Sequence, residues 1–271
     1  MTVNLCESFR ALAFRTFDQM GKGRRVGHQP LEETFTDTNI LELKDRHASE
    51  IYSRTFNKHE EGINGADWEW WLTNSSRSLW LGLRVQAKVL HFESNNFVHL
   101  HYRSGKTKAY QLGKLKRQSA KDGLVPLYCF YVHEPTFART HGRRCGSFAH
   151  TVESYGCSIA PLSHVESLQK KGEVKDLSSV MAGALPWHCL VCCSGYGGKD
   201  LPSRAWSLLK SEFGFKEPRE QLRAKKNALK PTVGPRMHPP HYVEAALEGY
   251  EPDMPPVGVR GVLIIVGRDD C

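Results

Sequence analysis

The sequence predicts an α/β protein, a mixed sheet flanked by helices, and three observations carry that prediction. Residues 61–71 and 81–90 are rich in aromatic and branched side chains, and the turn formers Thr73-Asn74-Ser75-Ser76-Arg77-Ser78 join them, so they read as an antiparallel strand pair. Residues 125–132 and 259–266 are unbroken apolar runs bounded by turn residues, the profile of strands buried inside a sheet. Between these runs lie segments with helical periodicity, such as Leu5, Phe9, Leu12, Ala13 and Phe17.

In chain order, the first helix covers residues 1–20 and stops at Gly21-Lys22-Gly23-Arg24-Arg25. A second helix follows, capped by Thr36 or Asp37, with Ile40, Leu43, Ile51 and Tyr52 on its apolar side and an end near Phe56. After the strand pair, residues 97–102 form a short extension whose alternating histidines, His99 and His101, are expected to be exposed. Residues 105–118 predict a helix on the sheet with a basic outer face of Lys106, Lys108, Lys114, Lys116 and Arg117, and Asp122-Gly123 breaks it. The buried strand 125–132 comes next, then a loop over 134–155. A strand near 156–160 and a helix over 162–171 follow. Pro202 opens a helix to 213, residues 217–230 are a charged stretch, and 242–247 form a short helix. The final apolar run must pair inside a sheet, so residues 134–271 are expected as an extension or subdomain packed on a core of residues 1–133.

Strand alternation places Gln86 and Lys88 on one face, with Val85, Ala87 and Val89 on the other. In the preceding arm Asp67 and Glu69 share a face, opposite Trp68 and Trp70. Two carboxylates, an amide and an amine can thus converge on one side of the sheet. Such a group suits a hard divalent cation and a phosphodiester. Magnesium takes octahedral oxygen ligands, commonly one or two carboxylates with waters and substrate phosphate. Asp67 is the anionic ligand, the Gln86 carbonyl a neutral one, and Lys88 would orient the attacking water and balance developing charge. Further acid could come from Glu69, Glu61 or a helix upstream.

Gly65-Ala66-Asp67, followed 19 positions after the aspartate by Gln86-Ala87-Lys88, resembles the core of the PD-(D/E)XK nuclease superfamily, the restriction-endonuclease-like fold. More narrowly it resembles the Gln-x-Lys branch seen in Mrr-type restriction enzymes and some phage-defence nucleases. Ala66 stands where that pattern has proline, and Gln86 where it has a carboxylate, one ligand charge fewer for metal. The resemblance covers about residues 31–133 and implies an αβββαβ core and magnesium- or manganese-dependent cleavage of DNA, with a setting in anti-phage defence. It also implies a glutamate delivered from the upstream helix, with Glu33 the candidate and Glu32 its rival.

Composition narrows the rest. The 271 residues are 40% hydrophobic and 24% charged, an ordinary globular balance. A formal charge of +8 favours a polyanionic partner, and Lys114, Lys116 and Arg117 are the candidate nucleic-acid contacts. No apolar run is long enough to span a membrane and no signal-peptide layout opens the chain, so a cytoplasmic protein is expected. The eight cysteines follow no secreted-scaffold spacing and are expected as reduced thiols. Cys189-Leu190-Val191-Cys192 can offer two thiolates to zinc, with His188, Cys157 or Cys145 completing a tetrahedron, although Trp187 to Cys192 also reads as an inner strand. A non-catalytic nucleic-acid-binding or interaction module and a zinc-stabilised module are the rival readings. A homo-oligomer is compatible with all of them.

Overall fold

β2 (Trp68–Thr73) and β3 (Trp80–Val89) pair antiparallel, with Trp68 opposite Val85 and Glu69 opposite Arg84. Every residue of both strands is buried, as expected for central strands covered on two faces. Asn74 builds the connecting turn by accepting from the backbone N–H groups of Ser78 and Leu79. The computed structural model describes residues 4–56, 66–103, 108–136, 148–192, 196–217, 232–252 and 259–268. Glu61, Lys106, Cys145, Cys193, Cys271 and most of the charged stretch at 217–230 lie outside them.

Around the central pair the described elements are α1 (Leu5–Val26), α2 (Glu32–Arg46), β1 (Ile51–Thr55), α3 (Gln111–Asp122), β4 (Val125–Tyr131), β5 (Cys157–Pro161), α4 (Leu162–Lys170), α5 (Leu177–Met181), β6 (Leu185–Pro186), α6 (Leu201–Phe213), α7 (His241–Glu248) and β7 (Gly261–Val266). Short 3-10 turns at Val152–Gly156 and Trp187–Leu190 complete the set. One seven-stranded mixed sheet runs in the order β1-β7-β2-β3-β4-β5-β6, flanked by helices. As its composition requires, the apolar β7 lies inside the sheet, antiparallel to β1 and parallel to β2. β3 and β4 are parallel, joined by the crossover through α3.

The two sheet faces are unlike. Trp68, Trp70, Leu83 and Val85 point to one side, where Trp187 meets both Trp70 and Phe9 of α1. Trp71, Glu69, Arg84, Gln86 and Lys88 point to the other, where Val243 and Ala246 of α7 pack on Trp71, Val262 and Ile264. The polar groups of that face are largely buried, and those at its Asp67 end border a cleft.

Three local expectations are corrected. α1 runs through Gly21 and Gly23 to Val26, because these glycines are contact points and not breakers: a Cβ on Gly21 would sit 2.5 Å from the His133 ring. α2 begins at Glu32, leaving Thr36 and Asp37 inside the helix, and ends at Arg46, so Ile51 and Tyr52 belong to a strand. The Trp187–Leu190 segment is a 3-10 turn, not an inner strand.

α1 lies against the Val152–Gly156 turn at Gly156, where a Cβ would collide with the Ala13 carbonyl and with Phe17. Gly156→Ala is expected to cost about 1–3 kcal/mol through overpacking. Chemical denaturation reads this directly, and an unchanged midpoint would contradict the packing.

Candidate active site

β2 enters the sheet immediately after Asp67, and the register sets Asp67 across from the Gln86 end of β3. The Asp67 N–H donates to the Val85 carbonyl, fixing the backbone there. Asp67 Oδ2 accepts two hydrogen bonds, from Gln86 Nε2 at 2.6 Å and from the Ala87 N–H at 2.8 Å. Gln86 Nε2 also donates to the Ala87 carbonyl at 3.1 Å. Both neighbours of that nitrogen are oxygens, which fixes the orientation of the amide. Gln86 Oε1 is left facing the other way, buried and without a hydrogen-bond partner among the described residues.

Lys88, two residues along the same face, is buried and lies 3.5 Å from Glu32 Oε1. The N-terminal turn of α2 carries Glu32 and Glu33, and both line the cleft at the end of β3. Asp67, Gln86, Lys88, Glu32 and Glu33 all line one open cleft of about 720 Å³, with Ala66, His99, Tyr102, Gln111 and Arg260 among the remaining wall residues. His99 and Tyr102 also border a second cleft of about 350 Å³ that contains His101, Glu173 and Lys175.

The electrostatics describe a site short of positive charge. Burial raises the Asp67 carboxyl above its ordinary value, with Lys88 opposing and Glu33 adding to the rise. Burial likewise pushes Glu32 up to about 7, again opposed by Lys88 and aided by Asp67 and Glu33. Three carboxyls meet one ammonium here, and Arg260 is held by Asp37 at 2.5 Å. A protonated Glu32 is favoured by the folded chain, so between about 4.5 and 7 the native state binds more protons than the unfolded state. Stability must then fall as pH rises through that window, by on the order of 3 kcal/mol. The melting temperature of the metal-free protein is expected to drop from about pH 5 to pH 8, and Glu32→Gln should flatten the drop. An identical slope in the variant would count against it.

Other sequence candidates are placed differently. Glu69 shares the face of Asp67 but is fully buried away from the cleft. It takes Arg84 at 2.5 Å, the Tyr242 hydroxyl at 2.6 Å and Trp71 Nε1 at 3.1 Å. Its role as a metal ligand is therefore corrected to a structural one. Lys114, Lys116 and Arg117 lie on α3 but none of them lines either cleft, and Lys116 is bound to Glu166 at 2.7 Å. The sequence reading missed Tyr102, Gln111 and Arg260 as wall residues. They come from three separated segments, and no local pattern marks them.

The cysteine expectations change as well. Cys192 forms a disulfide with Cys6, whose Cα atoms are 4.9 Å apart, so not all thiols are reduced. Cys157 is buried elsewhere, between Thr16 and Asn39, and burial raises its thiol to about 12. Among the described residues neither joins a cluster of ligand-type side chains. Instead His188 and Cys189 are brought together with His150, which the sequence reading did not consider. Burial depresses His188 to about 3, leaving a neutral imidazole at physiological pH.

Among the described residues no helix is long and apolar enough to cross a membrane. A search of the curated proteins returns no match. A family model described as a family of unknown function, DUF6615, matches residues 5–270, and with nearly its whole length covered the chain belongs to that family.

Proposed function

We propose that the Asp67 cleft hydrolyses phosphodiester bonds of DNA with a divalent metal ion, magnesium or manganese. The observation that carries this reading is the stranded Gln86 oxygen. A buried acceptor with no donor costs free energy unless something satisfies it. The Gln86 oxygen belongs to the amide whose nitrogen holds Asp67 Oδ2, and both residues line the cleft. A hard cation reaching the amide oxygen and the Asp67 carboxylate would satisfy the amide and offset the burial that raises Asp67 and Glu32.

Asp67 and Gln86 would hold the ion, with Glu33 or Glu32 as a further carboxylate ligand. Magnesium, when bound, polarises a phosphoryl oxygen and lowers the pKa of its water. Lys88 would orient the attacking water and balance charge on the phosphoryl group, and its burial would strengthen that interaction. Ala87 holds Asp67 in place through its backbone N–H. His99 and Tyr102 link this cleft to the second one, where Lys175 offers a positive charge to a strand leaving the site.

The strand order also supports a restriction-endonuclease-like core. α2, β1, β2, β3, α3 and β4 follow the αβββαβ sequence, with β2 running against β3 and β4 parallel to β3. One departure is the insertion of β7 between β1 and β2.

The test is cleavage of supercoiled plasmid with magnesium, manganese or a chelator, with single-stranded RNA in parallel. The expected result is nicked and linear DNA with metal and none with chelator. No product with either metal, or product equally abundant with Asp67→Asn, would overturn the reading. Preferential loss of RNA would move the substrate class.

A further inference from the structure

A second cluster of ligand-type side chains lies outside the cleft. One nitrogen each from His150 and His188 and the sulfur of Cys189 lie within 4.8 Å of one another. His150 Nε2 is 3.4 Å from Cys189 Sγ, and the two imidazoles meet edge to face with centroids 5.6 Å apart. Tetrahedral zinc, with bonds of about 2.0–2.1 Å to nitrogen and 2.3 Å to sulfur, sets its donor atoms roughly 3.3–3.8 Å apart. One pair is already at that spacing, and the whole set needs to contract by only about an ångström.

His188 provides the independent sign of a ligand. It is 0% exposed, and neither ring nitrogen has a hydrogen-bond partner among the described residues. A buried imidazole always has one donor and one acceptor to satisfy, so this double vacancy is costly unless a ligand fills it.

The frame around the cluster is rigid. Trp187 Nε1 donates to the Phe9 carbonyl at 2.6 Å, and the N–H groups of Val191 and Cys192 close back on the His188 carbonyl. The Cys6–Cys192 disulfide ties the end of that turn to α1. The Arg10 guanidinium, stacked on Phe14 and Phe148, sits within electrostatic reach of His188.

We propose that His150, His188 and Cys189 form a second metal site, which binds zinc and clips the segment before the Val152–Gly156 turn to the Trp187–Leu190 turn. Two imidazoles and a thiolate are borderline-soft donors that suit zinc, whereas the oxygen donors of the Asp67 cleft suit magnesium. His188 and Cys189 are buried and His150 is half-buried, and with three protein donors the fourth position falls to water. A Cys189–His150 nucleophile pair fits less well. Cys189 is itself buried, and such a pair leaves both nitrogens of His188 unexplained.

This inference stands apart from the proposed nuclease activity, and its test uses no substrate. Elemental analysis of the purified full chain should find about one zinc per chain. Asp67→Asn should retain it, and Cys189→Ser and His188→Ala should each lower it at least about tenfold. Cobalt(II) exchanged into the wild-type protein should show the intense visible bands of a tetrahedral site and a sulfur-to-cobalt charge-transfer band. That ultraviolet band should vanish in Cys189→Ser. This spectrum on the wild-type chain decides the matter even if a variant fails to fold. Absence of both bound zinc and a cobalt spectrum would overturn the proposal, as would a charge-transfer band that survives Cys189→Ser.

Discussion

Asp67→Asn is expected to lower metal-dependent cleavage by roughly 10³-fold, and Lys88→Ala by about 10²–10³-fold, the scale seen when one transition-state charge partner is removed. The two variants should differ in metal binding. Asparagine keeps the shape of Asp67 and can still accept from the Ala87 N–H, but it removes the charge that holds the cation. Manganese affinity should fall with cleavage. Lys88 instead would place an ammonium near an ion held by Asp67, so its removal should leave manganese affinity unchanged or stronger while cleavage collapses. Titration calorimetry beside single-turnover cleavage separates the pair. Lost metal binding in Lys88→Ala with the fold intact would make the lysine a scaffold residue.

The largest effect on stability is expected from Arg84→Ala. Arg84 and Glu69 face each other across β2 and β3, both almost wholly buried, and Arg84 also reaches Asp122 at 2.8 Å. Removing the guanidinium leaves a buried carboxylate supported, among the described residues, by Tyr242 and Trp71. The cost is about 3–5 kcal/mol, or roughly 10 °C in melting temperature for a chain of this size. Replacing both partners with apolar residues, Arg84→Met with Glu69→Leu, should recover much of it, because the desolvation cost disappears with the charges. Glu69→Gln should destabilise the fold yet leave the cleavage rate of the folded protein within about tenfold. A Glu69→Gln variant that is stable but inert would restore Glu69 as a ligand.

Much of the site was legible because strand alternation is a strict rule. Once residues 67–71 and 81–90 are read as adjacent strands, Asp67, Gln86 and Lys88 have to share a face. Alternation gives the face but not the depth. Glu69 obeys the same rule and is taken by Arg84, and only the register, 69 against 84, reveals it. The β1 strand was misread because Ile51 and Tyr52 continue the spacing of Ile40 and Leu43 across a chain reversal at His47. There the His47 ring bonds Glu50 at 2.8 Å and Ser8 at 2.7 Å. Such contacts are tertiary and leave no periodic trace. The cysteine cluster shows the same limit. The Cys-x-x-Cys spacing draws attention to Cys192, whereas the structure joins Cys192 to Cys6 and brings His150 to Cys189 from 39 residues away.

The central claim is that Asp67 and Gln86 share a cation. Anomalous diffraction from crystals soaked in manganese tests it without any substrate. A peak within about 2.0–2.4 Å of both an Asp67 carboxylate oxygen and Gln86 Oε1 is the predicted result. A cleft without such a peak at saturating manganese, or a peak that ignores the Gln86 oxygen, would contradict it.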